Sequence, residues 1–320
     1  MRLRLGRPRL TDYDHLLDVP PAAEHSPFAV TFLGVSTLLL DDGTSALLTD
    51  GFFSRPGLLR VAAGKIEPDQ TRIGTALARA GIDRLDAVLP VHTHFDHALD
   101  AAVVAESTGA VLVGGESTAN IGRGHGLQPG RIDVVAPGEP RTYGNWQITH
   151  VVSDHCPPDR YPGTIDAPVV PPVRTTAYRC GEAWSILVAH TSGRRLLIQG
   201  SAGFVRGSLA GHQADVAWLG IGQLGVQSER YIRDYWAETV RTVGARHVVL
   251  THWDDFFGPL PDDHAGLRAL PYAGDDLDVT VRLLDELAAA DGVSLHLPRL
   301  WQREDPWQLD LPATEPGATR

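Results

Sequence analysis

The feature that most narrows the choice of fold is a short apolar run, Leu85–Val91, that stops at His92-Thr93-His94-Phe95-Asp96-His97. A run of that length bounded by polar residues reads as a buried strand. Behind it stand three histidines and one carboxylate within six residues. Neutral imidazole and carboxylate are the ordinary nitrogen and oxygen ligands of zinc. In extended backbone, residues two apart point the same way, so His92 and His94 can share one metal. A turn after them swings Asp96 and His97 toward a neighbouring metal or water. A lone histidine is more often solvated or packed than ligating. Four ligand-type residues at this spacing, just past a strand, favour a metal site at the strand-end edge of a layered α/β fold.

The rest of the chain supports that architecture. Phe28–Gly34, Ser36–Leu40 and Ser45–Thr49 form a meander, with Asp41-Asp42-Gly43 as its turn signal. A helix is expected over Thr75–Ala80, closed by Gly81, and another over Asp100–Thr108, closed by Gly109. Ala110–Val113, Gln147–Val152, Ser185–His190, Arg195–Ile198, Val216–Leu219 and His247–Leu250 are further strand candidates. Glu229–Val243 and Val279–Ala290 are helix candidates, the second with Leu283, Leu284 and Leu287 on one face. Pro157–Pro172 is proline-rich and aperiodic, which marks a functional loop more often than filler. The whole loop Cys156–Tyr178 is expected to border the mouth of the site, because it leaves directly from His155, and its prolines are expected to keep it firm.

Composition sets outer limits. The 320 residues are 43% hydrophobic, enough for one large core. We divide them into an N-terminal extension, 1–27, and a single domain, 28–320. The formal net charge of -11 and the lack of any Lys/Arg run argue against a nucleic-acid partner. Two cysteines, Cys156 and Cys180, exclude a disulfide framework and a cysteine-rich zinc site. The basic start, Met1 to Pro8, lacks the apolar core of a secretory signal. No run is long enough to span a bilayer. The expected setting is cytoplasmic, with a small-molecule substrate and no membrane partner.

Two other histidines share the setting of the main cluster. His155, in Ser153-Asp154-His155, and His252, in Thr251-His252-Trp253-Asp254, each lie just past a strand candidate. With His92, His94 and His97 they complete a five-histidine site. Cys156, beside His155, reads as a small buried thiol. His125 lies in Gly122-Arg123-Gly124-His125-Gly126, a glycine-rich loop expected to approach the site, without the spacing of a phosphate-binding fingerprint. His15, His25, His150, His190, His212, His247, His264 and His296 read as structural. Ser208 and Ser228 lack a nucleophile-elbow pattern, so serine hydrolysis is not supported.

The order His-x-His-x-Asp-His resembles the signature of the metallo-β-lactamase superfamily. The resemblance runs from about Val30 to His252. Thr31-Phe32-Leu33-Gly34-Val35-Ser36-Thr37 and Leu48-Thr49-Asp50-Gly51 look like the family's opening hairpin. The lactonase-like and phosphodiesterase-like branch is the most similar. The resemblance implies an αββα sandwich with metals at the sheet edge. It implies that His92, His94 and His155 bind one zinc, and Asp96, His97 and His252 a second. Flavodiiron oxidoreductases of the superfamily carry glutamate at the position of His94, so His94 favours zinc hydrolysis over iron redox chemistry. The family's bridging aspartate is missing: Leu197-Ile198-Gln199-Gly200-Ser201-Ala202-Gly203 has Ser201 in its place. A neutral hydroxyl is a far weaker zinc ligand than a carboxylate. The expectation is one tight zinc and a second, weaker one, or another carboxylate in the bridging role. Asp254 and Asp255 are the nearest candidates in sequence, against the alternative of a solvated acidic loop.

The function expected is metal-assisted hydrolysis of an ester, lactone or amide of a small molecule, with Asp96 orienting the attacking water or accepting its proton. A phosphodiesterase of the same fold is one alternative. A non-hydrolytic metal-binding protein with a modified site is another. Trp146, Trp184, Trp253, Phe256 and Phe257 are available to wall an apolar pocket, although large rings mostly serve cores.

Overall fold

The computed structural model describes residues 4–310. Met1–Leu3 of the basic start and the last ten positions of the 28–320 domain, 311–320, lie outside the described residues. The first sheet comprises β1 (Ala29–Phe32), β2 (Leu38–Asp41), β3 (Ala46–Thr49), β4 (Ala87–Leu89), β5 (Val111–Gly114) and β6 (Ile132–Val134). The second comprises β7 (Pro140–Tyr143), β8 (Trp146–Val152), β9 (Trp184–His190), β10 (Arg195–Gln199), β11 (Val216–Gly220), β12 (His247–Thr251) and β13 (Ser294–His296). The late strand β14 (Arg303–Glu304) returns to the first sheet and pairs with β1. The orders are β14-β1-β2-β3-β4-β5-β6 and β13-β12-β11-β10-β9-β8-β7. The helices are α1 (Leu58–Ala63), α2 (Gln70–Arg79), α3 (Phe95–Ala98), α4 (Ala101–Thr108), α5 (Glu116–Gly124), α6 (Glu229–Trp236) and α7 (Leu277–Asp291).

Strand alternation builds the layers. Leu38, Leu40, Leu47 and Leu89 join Trp146, Ile148, Ile186 and Val188 in one apolar cluster between the sheets. Their neighbours Leu39, Leu48 and Val88 belong to a second cluster with Ile73 and Leu77 of α2 and Val103 and Val104 of α4. Successive residues thus serve opposite faces, as the period of two requires. On the far side, Ile232 and Trp236 of α6 and Leu283, Leu284 and Leu287 of α7 are buried in the first cluster. Helix, sheet, sheet, helix is the αββα sandwich expected.

Helix ends follow local chemistry. Asp69 caps α2 by accepting the N–H groups of Thr71 and Arg72, which starts the helix five residues before the sequence signal at Thr75. Ser228 caps α6 through the N–H of Tyr231, a structural task for a serine without nucleophile context. Gly109 (φ 77°) and Gly292 (φ 67°) end α4 and α7 in the left-handed conformation. The segment Gly122–Gly126, expected as a loop near the site, is instead the end of α5 and its cap. Gly124 serves packing: a Cβ on it would lie 1.8 Å from the carbonyl oxygen of Val169. Close backbone approach, rather than a ligand loop, accounts for this glycine.

The N-terminal residues lie on the body. Tyr13, Leu16, Leu17 and Val19 are buried in the inter-sheet cluster, and Pro21 bridges to Glu304. No helix among the described residues is long and apolar enough to cross a membrane.

Candidate metal centre

Strand direction gathers the site. β3, β4, β5 and β6 are parallel in one sheet. In the other, β10, β11 and β12 are parallel, and β8 shares their direction because both it and β10 are antiparallel to β9. Carboxyl ends therefore share an edge in each sheet. Asp50 follows β3, His92–His97 follow β4, His155 follows β8, Ser201 follows β10 and His252 follows β12. The helix α3 opens with His94 at its N-cap, so Asp96 and His97 turn away from His92 and His94.

Two sets of potential ligands converge. The donor atoms of His92, His94 and His155 lie within 4.8 Å of one another, as do those of Asp96, His97 and His252. In the first set, His92 Nε2 is 3.1 Å from His94 Nδ1. His155 Nδ1 sits 2.7 Å from the Cys156 carbonyl. It donates to that oxygen and leaves its Nε2 lone pair free. In the second, His97 Nε2 is 3.2 Å from His252 Nε2, and Asp96 Oδ2 is 3.5 Å from His252 Nε2. The His92 and His97 rings are 3.9 Å apart between centroids, so the two sets adjoin.

Electrostatics suit a cation. Burial, together with the surrounding histidines, holds His92 well below the usual imidazole range. Burial also lowers His155, to about 4. Both are therefore neutral near pH 7 and need not lose a proton to ligate. Burial opposes ionisation of Asp96, but His97 and the hydrogen bond from His252 outweigh it and keep the carboxylate below its usual range. His97 Nδ1 donates to Asp50 Oδ2 at 2.9 Å, and Asp50 also takes the Ser36 hydroxyl and the Val91 N–H. This fixes the tautomer that presents His97 Nε2 to the site. A Cβ on Gly222 would fall 2.7 Å from His252 Nδ1, so only glycine lets that ring lie where it does.

Backbone strain gathers here too. Val35, Asp50, Arg55 and His252 have positive φ angles of 54°, 54°, 40° and 60°. Such conformations cost roughly 1–3 kcal/mol each and persist where surroundings impose them. The His252 N–H donates to the Val35 carbonyl at 2.7 Å, and the Val35 N–H donates to Asp254 Oδ1 at 2.8 Å.

Residues 30–193, just over half of the chain, match the model of the metallo-beta-lactamase superfamily. The chain belongs to that superfamily. Its αββα architecture is the family's. A candidate metal-dependent hydrolase from Parabacteroides distasonis superposes with a TM-score of 0.51 at 15% identity, over 85% of this chain and 93% of that one. CmlA, a diiron β-hydroxylase from Streptomyces venezuelae, superposes at 0.50 with 12% identity, over 85% of this chain and 53% of that one. At these identities the likeness is one of fold. No curated protein matches the chain. Metal-binding hydrolases make up most of the superfamily.

Other sequence-based expectations fare differently. Asp254 is not a spare ligand. It is fully buried and paired with the equally buried Arg55 at 2.5 Å. Nor is it solvated; Asp255, half-buried, pairs with Arg7. Both acids are consumed in bracing the loop behind His252. Ser201 sits at the expected strand end, where its Oγ accepts the Cys156 N–H at 3.0 Å. Cys156 is buried and its thiol is pushed up to about 12 by burial, as suits a packed thiol. Trp146, Trp184 and Trp253 are core residues. Phe256 is half-buried and lies against His252 (5.7 Å between centroids) and Phe95 (6.3 Å), with Phe257 beside it. His125, at the cap of α5, belongs to neither ligand set.

Sequence reasoning missed two carboxylates. Asp50 was visible only as part of a hairpin motif. Asp159 lies in the proline-rich loop, with Oδ1 3.2 Å from His94 Nε2. Its one sequence signal was its position four residues after His155. The loop is sewn to the body: Cys180 N–H to the Tyr161 carbonyl, Gly181 N–H to the Gly163 carbonyl, and Asn120 to the Ile165 carbonyl.

Proposed function

We propose that the chain is a zinc-dependent hydrolase acting on an ester, lactone or amide of a small molecule. The observation that carries this reading is the pair of adjoining sets, His92/His94/His155 and Asp96/His97/His252, each within 4.8 Å. The donors fit zinc: nitrogen and carboxylate oxygen, buried, with tautomers set by Asp50 and by the Cys156 carbonyl. Zinc bound there supplies Lewis acidity toward a water and toward the carbonyl or phosphoryl oxygen of a substrate. Asp96, an anion beside that position, orients the attacking water. The half-buried rings Phe256 and Phe257 offer apolar contact to the substrate. The acidic chain favours neutral substrates over phosphodiesters, since net charge of -11 gives an anion no general attraction.

The bridging position is neutral, and two dications held close repel each other. We therefore assign a tight zinc to His92/His94/His155 and a weaker one to Asp96/His97/His252. The test joins metal analysis of the purified protein to a panel of lactones, amides, esters and phosphodiesters, with and without chelator. Hydrolysis that chelator abolishes and zinc restores is the expected result. Iron as the bound metal, or no turnover of any panel member by zinc-loaded protein, overturns the reading. Calorimetric titration of Ser201→Asp should show the weaker equivalent tightened by about tenfold or more. Two equally tight equivalents in the unmodified protein would overturn the assignment of unequal sites.

A further inference from the structure

We propose that Asp159, reaching in from the proline-rich loop after β8, is the positioning residue for His94, holding its Nε2–H so that Nδ1 faces the metal. The inference rests on the zinc reading of the site. His94 turns Nδ1 toward His92 Nε2, 3.1 Å away, so Nδ1 is its ligand atom. A neutral imidazole can offer that lone pair only if Nε2 carries the proton. Nε2 is buried and has no aligned hydrogen-bond partner. Leaving such an N–H unsatisfied costs about 1–3 kcal/mol. The acceptors beside it are Asp159 Oδ1, at 3.2 Å, and the Tyr161 carbonyl; of the two only the carboxylate carries a charge, and a small rotation of it completes the bond.

The carboxylate is itself prepared. Its Oδ1 accepts the Tyr161 N–H at 2.9 Å, and the buried Cys180 thiol hydrogen-bonds to it. The Tyr161 ring stands edge-on to His94 at 6.3 Å between centroids. Asp159 and the Cys180 thiol therefore gather at one end of the His94 imidazole, with the Tyr161 ring of the same loop beside it. Because the two ring nitrogens point in divergent directions, Asp159 lies on the side of His94 away from His92. It cannot take over the bridging place left by Ser201. Its effect is to raise the basicity and fix the orientation of a histidine ligand, as outer carboxylates do at zinc sites. His94 Nε2, Asp159 and the Cys180 thiol also lie within 4.8 Å of one another. A metal on those three atoms is the competing arrangement, and it would turn His94 away from His92 and His155, whose donor atoms form the other set with it.

Calorimetric zinc titration and the absorption spectrum of the cobalt(II) form test this on the full chain. Asp159→Asn is expected to weaken the tighter equivalent by about 10–100-fold and to alter the cobalt spectrum. Asp159→Glu, which keeps the charge, should recover part of the loss. Cys180→Ser, which keeps a hydroxyl donor, should bind both equivalents as the unmodified chain does. Unchanged affinity and spectrum in Asp159→Asn would overturn the inference while leaving the zinc reading intact. Loss of a zinc equivalent in Cys180→Ser would overturn it in favour of the thiol-bound arrangement. No zinc uptake by the unmodified chain would overturn both.

Discussion

The two halves of the candidate metal centre are assembled from the same six-residue stretch, His92–His97, but completed differently. His92 and His94 are joined by His155, from the end of β8, to give three imidazoles. Asp96 and His97 are joined by His252, from the end of β12, and carry a carboxylate. Each half has one histidine backed by a further acid. For His97 the acid is Asp50, fully buried at the end of β3 and bound by Ser36 and Val91. For His94 it is Asp159, partly exposed on a loop. One half is braced by a strand end and the other by the proline-rich loop after β8. The difference teaches that a loop can do for one ligand what the sheet does for the other. It also places the proline-rich loop in contact with His94.

The largest effects should come from the ligands themselves. His92→Ala should remove tight zinc binding and all chelator-sensitive turnover, a loss greater than the roughly 10–100-fold given up with an outer partner. His252→Ala should leave one tight equivalent. Titrations in which both variants lose both equivalents would merge the two halves into a single-ion site and break the comparison.

Next in size is the scaffold behind His252. Asp254→Asn leaves the buried Arg55 guanidinium unpaired, and breaking such a pair typically costs about 3–5 kcal/mol. Denaturant unfolding measures this directly. Zinc stoichiometry should stay the same, because Asp254 braces Val35 and Arg55 and does not face the metal. Loss of one equivalent without loss of stability would make Asp254 a ligand after all.

Smaller still is the change at Asp50. Asp50→Asn keeps the size and much of the hydrogen bonding but removes the charge behind His97. The weaker equivalent should lose about 10–100-fold in affinity, with the tighter one changed by less than about threefold. An equal loss at both equivalents would show that Asp50 sets the field of the whole pocket rather than the tautomer of one ring.

Much of this was legible in the sequence because the evidence for it is local. Strand ends, left-handed glycines and the His-x-His-x-Asp-His order are set by neighbours a few residues apart. Boundaries slipped where the deciding contact was a side chain: Asp69 starts α2 earlier than its apolar periodicity suggested. The segment Gly122–Gly126 misled for a related reason. Glycine signals either a loop or a close approach, and only the Val169 backbone pressed against Gly124 tells which.

What the sequence by itself determined is the chemistry available: five histidines and Asp96 placed after strands, with a hydroxyl where a bridging carboxylate is usual. Period-two burial and short helices fixed the layers, since each apolar residue must find a face to hide. What only the tertiary structure decided is which acids attend the ligands. Asp254, two residues from His252, is drawn away by Arg55, which is 199 residues distant in the chain. Asp50 and Asp159, remote in sequence from the histidines they face, are brought to 2.9 and 3.2 Å of them. A carboxylate's role depends on which charge or proton it meets across a few ångströms, and that is settled by the meeting of the two sheets and the loop laid across their edge.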